Sequence, residues 1–299
     1  MLTIPPVTIP CWKSQFTYGG KNYTFAMVGS NPMTSPQTTQ IANEIVPVRL
    51  TFSDGTTFDP TSSVAGMVRS PLYTSGAYSA GTTQYGDAFM RSQFWTYAAN
   101  QNYHVLFSAP IVEPTVSLTV PAANGYVRTV SGSKTGYITF AWLESIEQQI
   151  IQQMNLPPTG LSIFATYNTK SLEPSGYCCY SGYHDEFSMT LGSQNAIATT
   201  AWASITPSSV ETMSHEISEW LDDPFYVNYV PYWRNPQSNA CNGDLLEVGD
   251  PVTNHVFTVN GWGMQDETFY SWFTRDTPSI GINGAYDLMG KLTTPSVPC

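Results

Sequence analysis

Apolar and polar residues alternate in short runs over roughly the first 120 residues, with turn residues between the runs, which is the period of half-buried antiparallel strands. Gln15 to Tyr18 and Tyr23 to Val28 flank Gly19-Gly20 and predict a hairpin. Ile45 to Phe52 and Thr56 to Phe58 flank Ser53-Asp54-Gly55 and predict a second. Tyr85 to Ala99 reads as a helix resting on that sheet, with Phe89, Phe94 and Trp95 as core residues. From Pro121 to Gly136 the chain turns to Ala, Asn, Gly, Ser and Thr, the composition of a linker or long loop. A boundary there divides the chain into a β-rich domain, 1–125, and a second domain, 126–299.

Beyond the boundary the period changes to that of a helix. Trp142, Leu143, Ile146, Ile150 and Met154 share one face between Thr139 and Asn155, and Pro157-Pro158 stops the run. Leu161 to Tyr167, Tyr177 to Ser188 and Ala196 to Ile205 then read as strands, so the fold class is α+β. Thr206-Pro207, with Ser208 and Glu211 spaced as a capping box, predicts the start of another helix, which Pro224 ends after Asp223. Val210, Met213, Ile217 and Trp220 or Leu221 form its apolar stripe.

That second helix changes the picture. His215 and Glu219 fall off the stripe and, four residues apart, point the same way, so both can hold one metal ion. Asp222 continues their face, and Glu216 sits about 100° around the helix, beside the ion rather than on it, where a general base is needed. A chain with only four histidines and 11% charged residues places His215, Glu216, Glu219, Asp222 and Asp223 within nine positions. The plain alternative is a solvated acidic helix face carrying one histidine.

Composition narrows the partners. With 11 basic against 22 acidic side chains the net charge is −11, so no basic footprint exists for nucleic acid or an anionic membrane. The sparse charge suits a secreted protein and an acidic medium. The opening Met1-Leu2-Thr3-Ile4-Pro5-Pro6 reads as a start placed after an excised leader. Cys11, Cys178, Cys179, Cys241 and Cys299 are too widely spaced for a zinc ribbon and suit disulfides; the expected link joins the Cys178-Cys179 strand to Cys241 or Cys299. Five is odd, so one thiol is free or the adjacent pair is unusual. No Gly-x-Ser-x-Gly elbow is present for serine catalysis.

His215-Glu216-x-x-Glu219 resembles the His-Glu-x-x-His motif of the zincin metallopeptidases, with Glu in place of the second His. The resemblance covers roughly Thr139 to Asp250 and implies a zincin-like domain, one zinc ion, ligands at His215 and Glu219, and a base at Glu216. In the gluzincin group a downstream glutamate is the third ligand, which makes Glu247 the first choice here, Asp250 the second and His255 the third. An acidic loop or a calcium-binding turn is the other reading of Asp244 to Asp250. Gly182-Tyr183-His184, Ser214 to Glu219 with Asp223-Pro224-Phe225, and Leu246 to Asp250 are also loosely similar to secreted bacterial relatives of the plant Exordium, or phosphate-induced, family, which implies an extracellular, wall-associated protein. His184 and Tyr183 become candidates for substrate binding or oxyanion stabilisation. His104 reads as structural, and Met264 as core or as a floor under the metal. The expected partner is a peptide or protein substrate cleaved by a monomeric chain. A non-catalytic wall-binding module and a purely structural metal site are the alternatives.

Overall fold

Leu161–Thr166 is buried at all of its positions, as befits a parallel strand covered on both faces. It is the middle of a seven-stranded sheet in the computed structural model of the chain, which describes residues 7–173, 175, 178–191, 193–241 and 243–299. The main order is Val116–Thr119, Asn43–Thr51, Leu161–Thr166, Gln194–Ser204, Gly182–Leu191. The first four run parallel, and Gly182–Leu191 closes the edge antiparallel to its neighbour. Residues 1–6 and Tyr177 lie outside the described residues, and with them the reading of the chain's start.

Successive residues along these strands enter two different cores, the consequence of a period of two. Ile45, Ile163, Ala165, Ala201 and Ala203 pack with Met213 and Ile217 of the helix Glu211–Asp222. Val46, Val48, Phe164, Ala198 and Trp202 pack with Leu143, Ile150 and Ile151 of the helix Phe140–Met154. The sheet is thus sandwiched, and the two helices read from the sequence cover its opposite faces. Both hairpins also form: Cys11–Tyr18 pairs with Lys21–Val28 around Gly19 and Gly20, both at positive φ, and Asn43–Thr51 pairs with Thr57–Phe58. The predicted 85–99 helix is two short ones, Tyr85–Gln93 and Trp95–Ala98.

Four expectations need correcting. Residues 121–136 are no linker: Gly125–Val130 and Ser133–Thr139 form a hairpin. Exposed Tyr126 stacks on buried Tyr137 (5.3 Å between centroids) with Arg128 over both rings, so the hairpin is held by a cross-strand pair rather than by a continuous apolar run. Strands from both sides of residue 125 share the central sheet, so the pairing ignores the expected division. Ser208 and Glu211 make no capping box; the helix begins at Glu211 without a side-chain cap, because Ser209 is bridged to Gly263 in extended form. Cys178 pairs with Cys179, and Cys241 with Cys299 58 residues on, leaving Cys11 as a half-buried free thiol. No helix among the described residues is long and apolar enough to cross a membrane.

Candidate metal centre

The stripe Val210, Met213, Ile217, Trp220 and Leu221 is wholly buried, and this fixes the rotation of the helix. His215 and Glu219 then emerge together beneath the edge strand Gly182–Leu191. On that strand His184 stands opposite Ala201, on the face that meets the helix, so it descends onto the same carboxylates. Glu247 and Asp250 arrive from the loop before the 3-10 turn Asp250–Val252. All of these border one cavity of about 560 Å³, whose walls include Phe140, Tyr180, Tyr226 and Trp233.

Glu219 lies between the two imidazoles. His215 Nε2 is 3.2 Å from its Oε1, and His184 Nδ1 is 3.6 Å from its Oε2. Asp250 Oδ1 lies 4.0 Å from His215 Nε2, and Glu216 Oε2 lies 4.0 Å from His184 Nδ1. Two ligands of one tetrahedral zinc, each about 2.1 Å from it, stand about 3.4 Å apart, so these spacings need only small adjustments to close on an ion. Two sets among the described residues have all their ligand atoms within 4.8 Å of one another: His215, Glu219 and Asp250, and His184, Glu216 and Glu219. The donor sets, one imidazole nitrogen with two carboxylate oxygens, suit zinc or manganese.

The charges are arranged for a cation. Burial pushes Glu219 up, but His215 and His184 outweigh it and hold the carboxyl well below its usual range. Burial pushes Glu216 up to about 8, where His215 opposes and Glu219 reinforces it. Burial lowers both histidines, yet the facing carboxylates leave them above the ordinary 6.5. A divalent ion can replace those imidazole protons as the partner of the carboxylates.

Gln265 and Gly249 hold the first set in place, and no motif in the chain points to either. Gln265 Nε2 is 2.6 Å from His215 Nδ1 and also donates to the Gly249 carbonyl at 3.0 Å. With Nε2 on an ion the ring would carry its proton on Nδ1, and a half-turn of the Gln265 amide would present Oε1 to accept a hydrogen bond from it. The Gly249 N–H donates to Glu219 Oε1 at 3.2 Å. A Cβ at Gly249 would run into the His215 ring, and one at Gly182 into Glu216, so glycine is what lets backbone approach both.

The predicted residues divide. His215, Glu216, Glu219, Asp250 and His184 come together; His184, expected to touch substrate, stands with Glu216 and Glu219 in a set that could hold a metal ion. Glu247 belongs to neither set, and burial together with the Glu219 charge pushes its carboxyl well above the ordinary range; the acidic residue that lies with His215 and Glu219 is Asp250. His255 is outside both sets as well. Asp222 does not continue the metal face: it turns to the helix Tyr85–Gln93 and accepts from Gln93 Nε2 at 2.6 Å. Asp223 instead accepts from the Val227 and Asn228 N–H groups and pins the loop after the helix. Tyr183 borders the cavity, but its ring is wedged between Phe140 and Trp202 on the opposite face of the strand, and burial beside Glu147 holds its proton firmly. His104 pairs with buried Asp87 at 2.9 Å, a structural role, and Met264 is core. No family model, curated protein or solved structure matches the chain.

Proposed function

We propose that this protein is a secreted, metal-dependent peptidase in which His215, Glu219 and Asp250 hold a zinc ion and Glu216 accepts the proton of the attacking water. One observation carries the reading: two imidazoles and three carboxylates, drawn from a helix, a strand and a loop, converge inside one aromatic-walled cavity. A bound divalent ion supplies Lewis acidity toward a carbonyl oxygen and lowers the pKa of water. Glu216 lies outside the first set of ligands and lines the same cavity, sharing Glu219 with the second set. Burial has raised its proton affinity toward neutrality, which matches a general base to its task.

Tyr226 replaces Tyr183 as the donor to the developing oxyanion. Its ring meets His184 edge-on at 5.6 Å between centroids, and the side chain borders the cavity while 48% exposed, so its hydroxyl can reach a bound carbonyl. Tyr226 also holds a φ of 51°, a costly conformation for a bulky residue, and such outliers concentrate at functional sites. Phe140, Tyr180 and Trp233 offer apolar surface for side chains of an extended peptide. Two disulfides support an oxidising, extracellular setting.

The test is proteolysis of a denatured protein substrate by the purified chain, with its metal content measured in parallel. Activity lost to a chelator and restored by zinc is expected. A chain that retains stoichiometric metal and cleaves nothing would reduce the centre to a structural clip.

A further inference from the structure

We propose that the centre takes two divalent ions, with Glu219 bridging them. The inference rests on the metal site just proposed for its first ion and adds a second, held by His184 Nδ1, Glu219 Oε2 and Glu216 Oε2.

Three observations support it. First, the two histidines face different oxygens of the same carboxylate, His215 toward Oε1 and His184 toward Oε2. A carboxylate approached from both oxygens in this way is arranged as a bridge. Second, no set of ligand atoms within 4.8 Å of one another contains both histidines, among the described residues. The two sets divide the histidines between them and share only Glu219, which is the arrangement two ions joined by one carboxylate require. Third, Glu216 is only 4% exposed and accepts no hydrogen bond among the described residues; its Oε2 is directed to His184. A carboxylate that lines a cavity without protein donors is open to a proton, a water or a cation.

Paired ions in hydrolytic centres stand about 3.5–4 Å apart, the span of a carboxylate bridge. Glu216 keeps both of its roles, because Oε2 binds the second ion while Oε1, lying against Gly182, remains to take a proton.

The experiment is a metal count on the intact chain. The protein is stripped, equilibrated with zinc, freed of excess, and assayed for ions per chain; a parallel sample loaded with manganese is read by electron paramagnetic resonance. Two ions per wild-type chain and an exchange-coupled manganese signal are expected. His184→Ala should retain one ion and lose the coupling, with circular dichroism verifying its fold. Should that variant fail to fold, the wild-type count and coupling decide alone. Saturation at one ion, or two ions without coupling, overturns the bridge; one ion with intact peptide hydrolysis does so while leaving the peptidase reading in place. No binding at all removes both.

Discussion

The two faces of the strand Gly182–Leu191 carry the same kinds of side chain to opposite ends. On the front, His184 meets Glu216 and Glu219 of the helix Glu211–Asp222. On the back, Tyr183 and Asp185 meet Glu144 and Glu147 of the helix Phe140–Met154. Among the described residues no imidazole faces Glu147, which is fully buried; burial first, opposed by the Tyr183 hydroxyl and reinforced by Asp185 and Glu144, pushes its carboxyl well above the ordinary range. Glu219 is just as enclosed by the protein, yet its two histidines keep it charged. Burial alone therefore does not make a cation site. Acid against acid is settled by a proton, whereas acid against imidazole keeps a negative charge that a metal can claim.

The comparison is most easily broken at Glu216. Glu216→Gln keeps the shape and loses the basicity, so turnover should fall about 10²–10⁴-fold while the ion at His215 remains. Near wild-type turnover would refute its role as base. Next come the tyrosines on the two faces. Tyr226→Phe should cost about 10²–10³ in kcat, as for loss of one oxyanion donor, and Tyr183→Phe on the back should leave kcat unchanged. The reverse pattern would place the substrate on the wrong side of the strand. A smaller effect is expected at Gln265. Gln265→Leu removes the group that orients His215, and zinc affinity by competition titration should weaken about 10–100-fold.

The smallest effect lies on the back face and is read in pH. The Glu147 pKa is raised in the fold above its ordinary 4.5, so the folded chain binds an extra proton once the pH exceeds that value. Its contribution to stability is complete below about pH 4.5 and declines as the pH rises. The decline is at most about 1.4 kcal/mol per pH unit while one extra proton is held. Glu147→Gln should flatten the stability profile between about pH 5 and 7 in chemical denaturation, with no change in metal content. An unaltered slope would mean that Glu147 is not the group that keeps its proton.

Much of this was legible because it is local. The stripe from Val210 to Leu221 and the spacing of His215 and Glu219 are helical arithmetic, and the structure follows both. What escaped depends on distant chain segments. Choosing between Tyr183 and His184 requires the register of one strand against Gln194–Ser204, where a single step exchanges the faces. Preferring Asp250 to Glu247 requires knowing that Gly249 lies against the His215 ring. The disulfide partners, Cys241 and Cys299, meet only because the chain's end returns to a loop 58 residues earlier. Ser208 and Glu211 were a sound local cap that tertiary pairing of Ser209 with Gly263 overrode.

The central claim is that the front face, and no other part of the molecule, holds the metal. Anomalous diffraction at the zinc absorption edge, from crystals grown with zinc, tests it most directly. The account predicts a peak about 2.1 Å from His215 Nε2 and Glu219 Oε1, with Asp250 completing the set, a second peak beside His184 Nδ1 where the bridged pair forms, and no peak beside Glu147. Zinc bound only at His104 or His255, or a front face without a peak at saturating zinc, would contradict it.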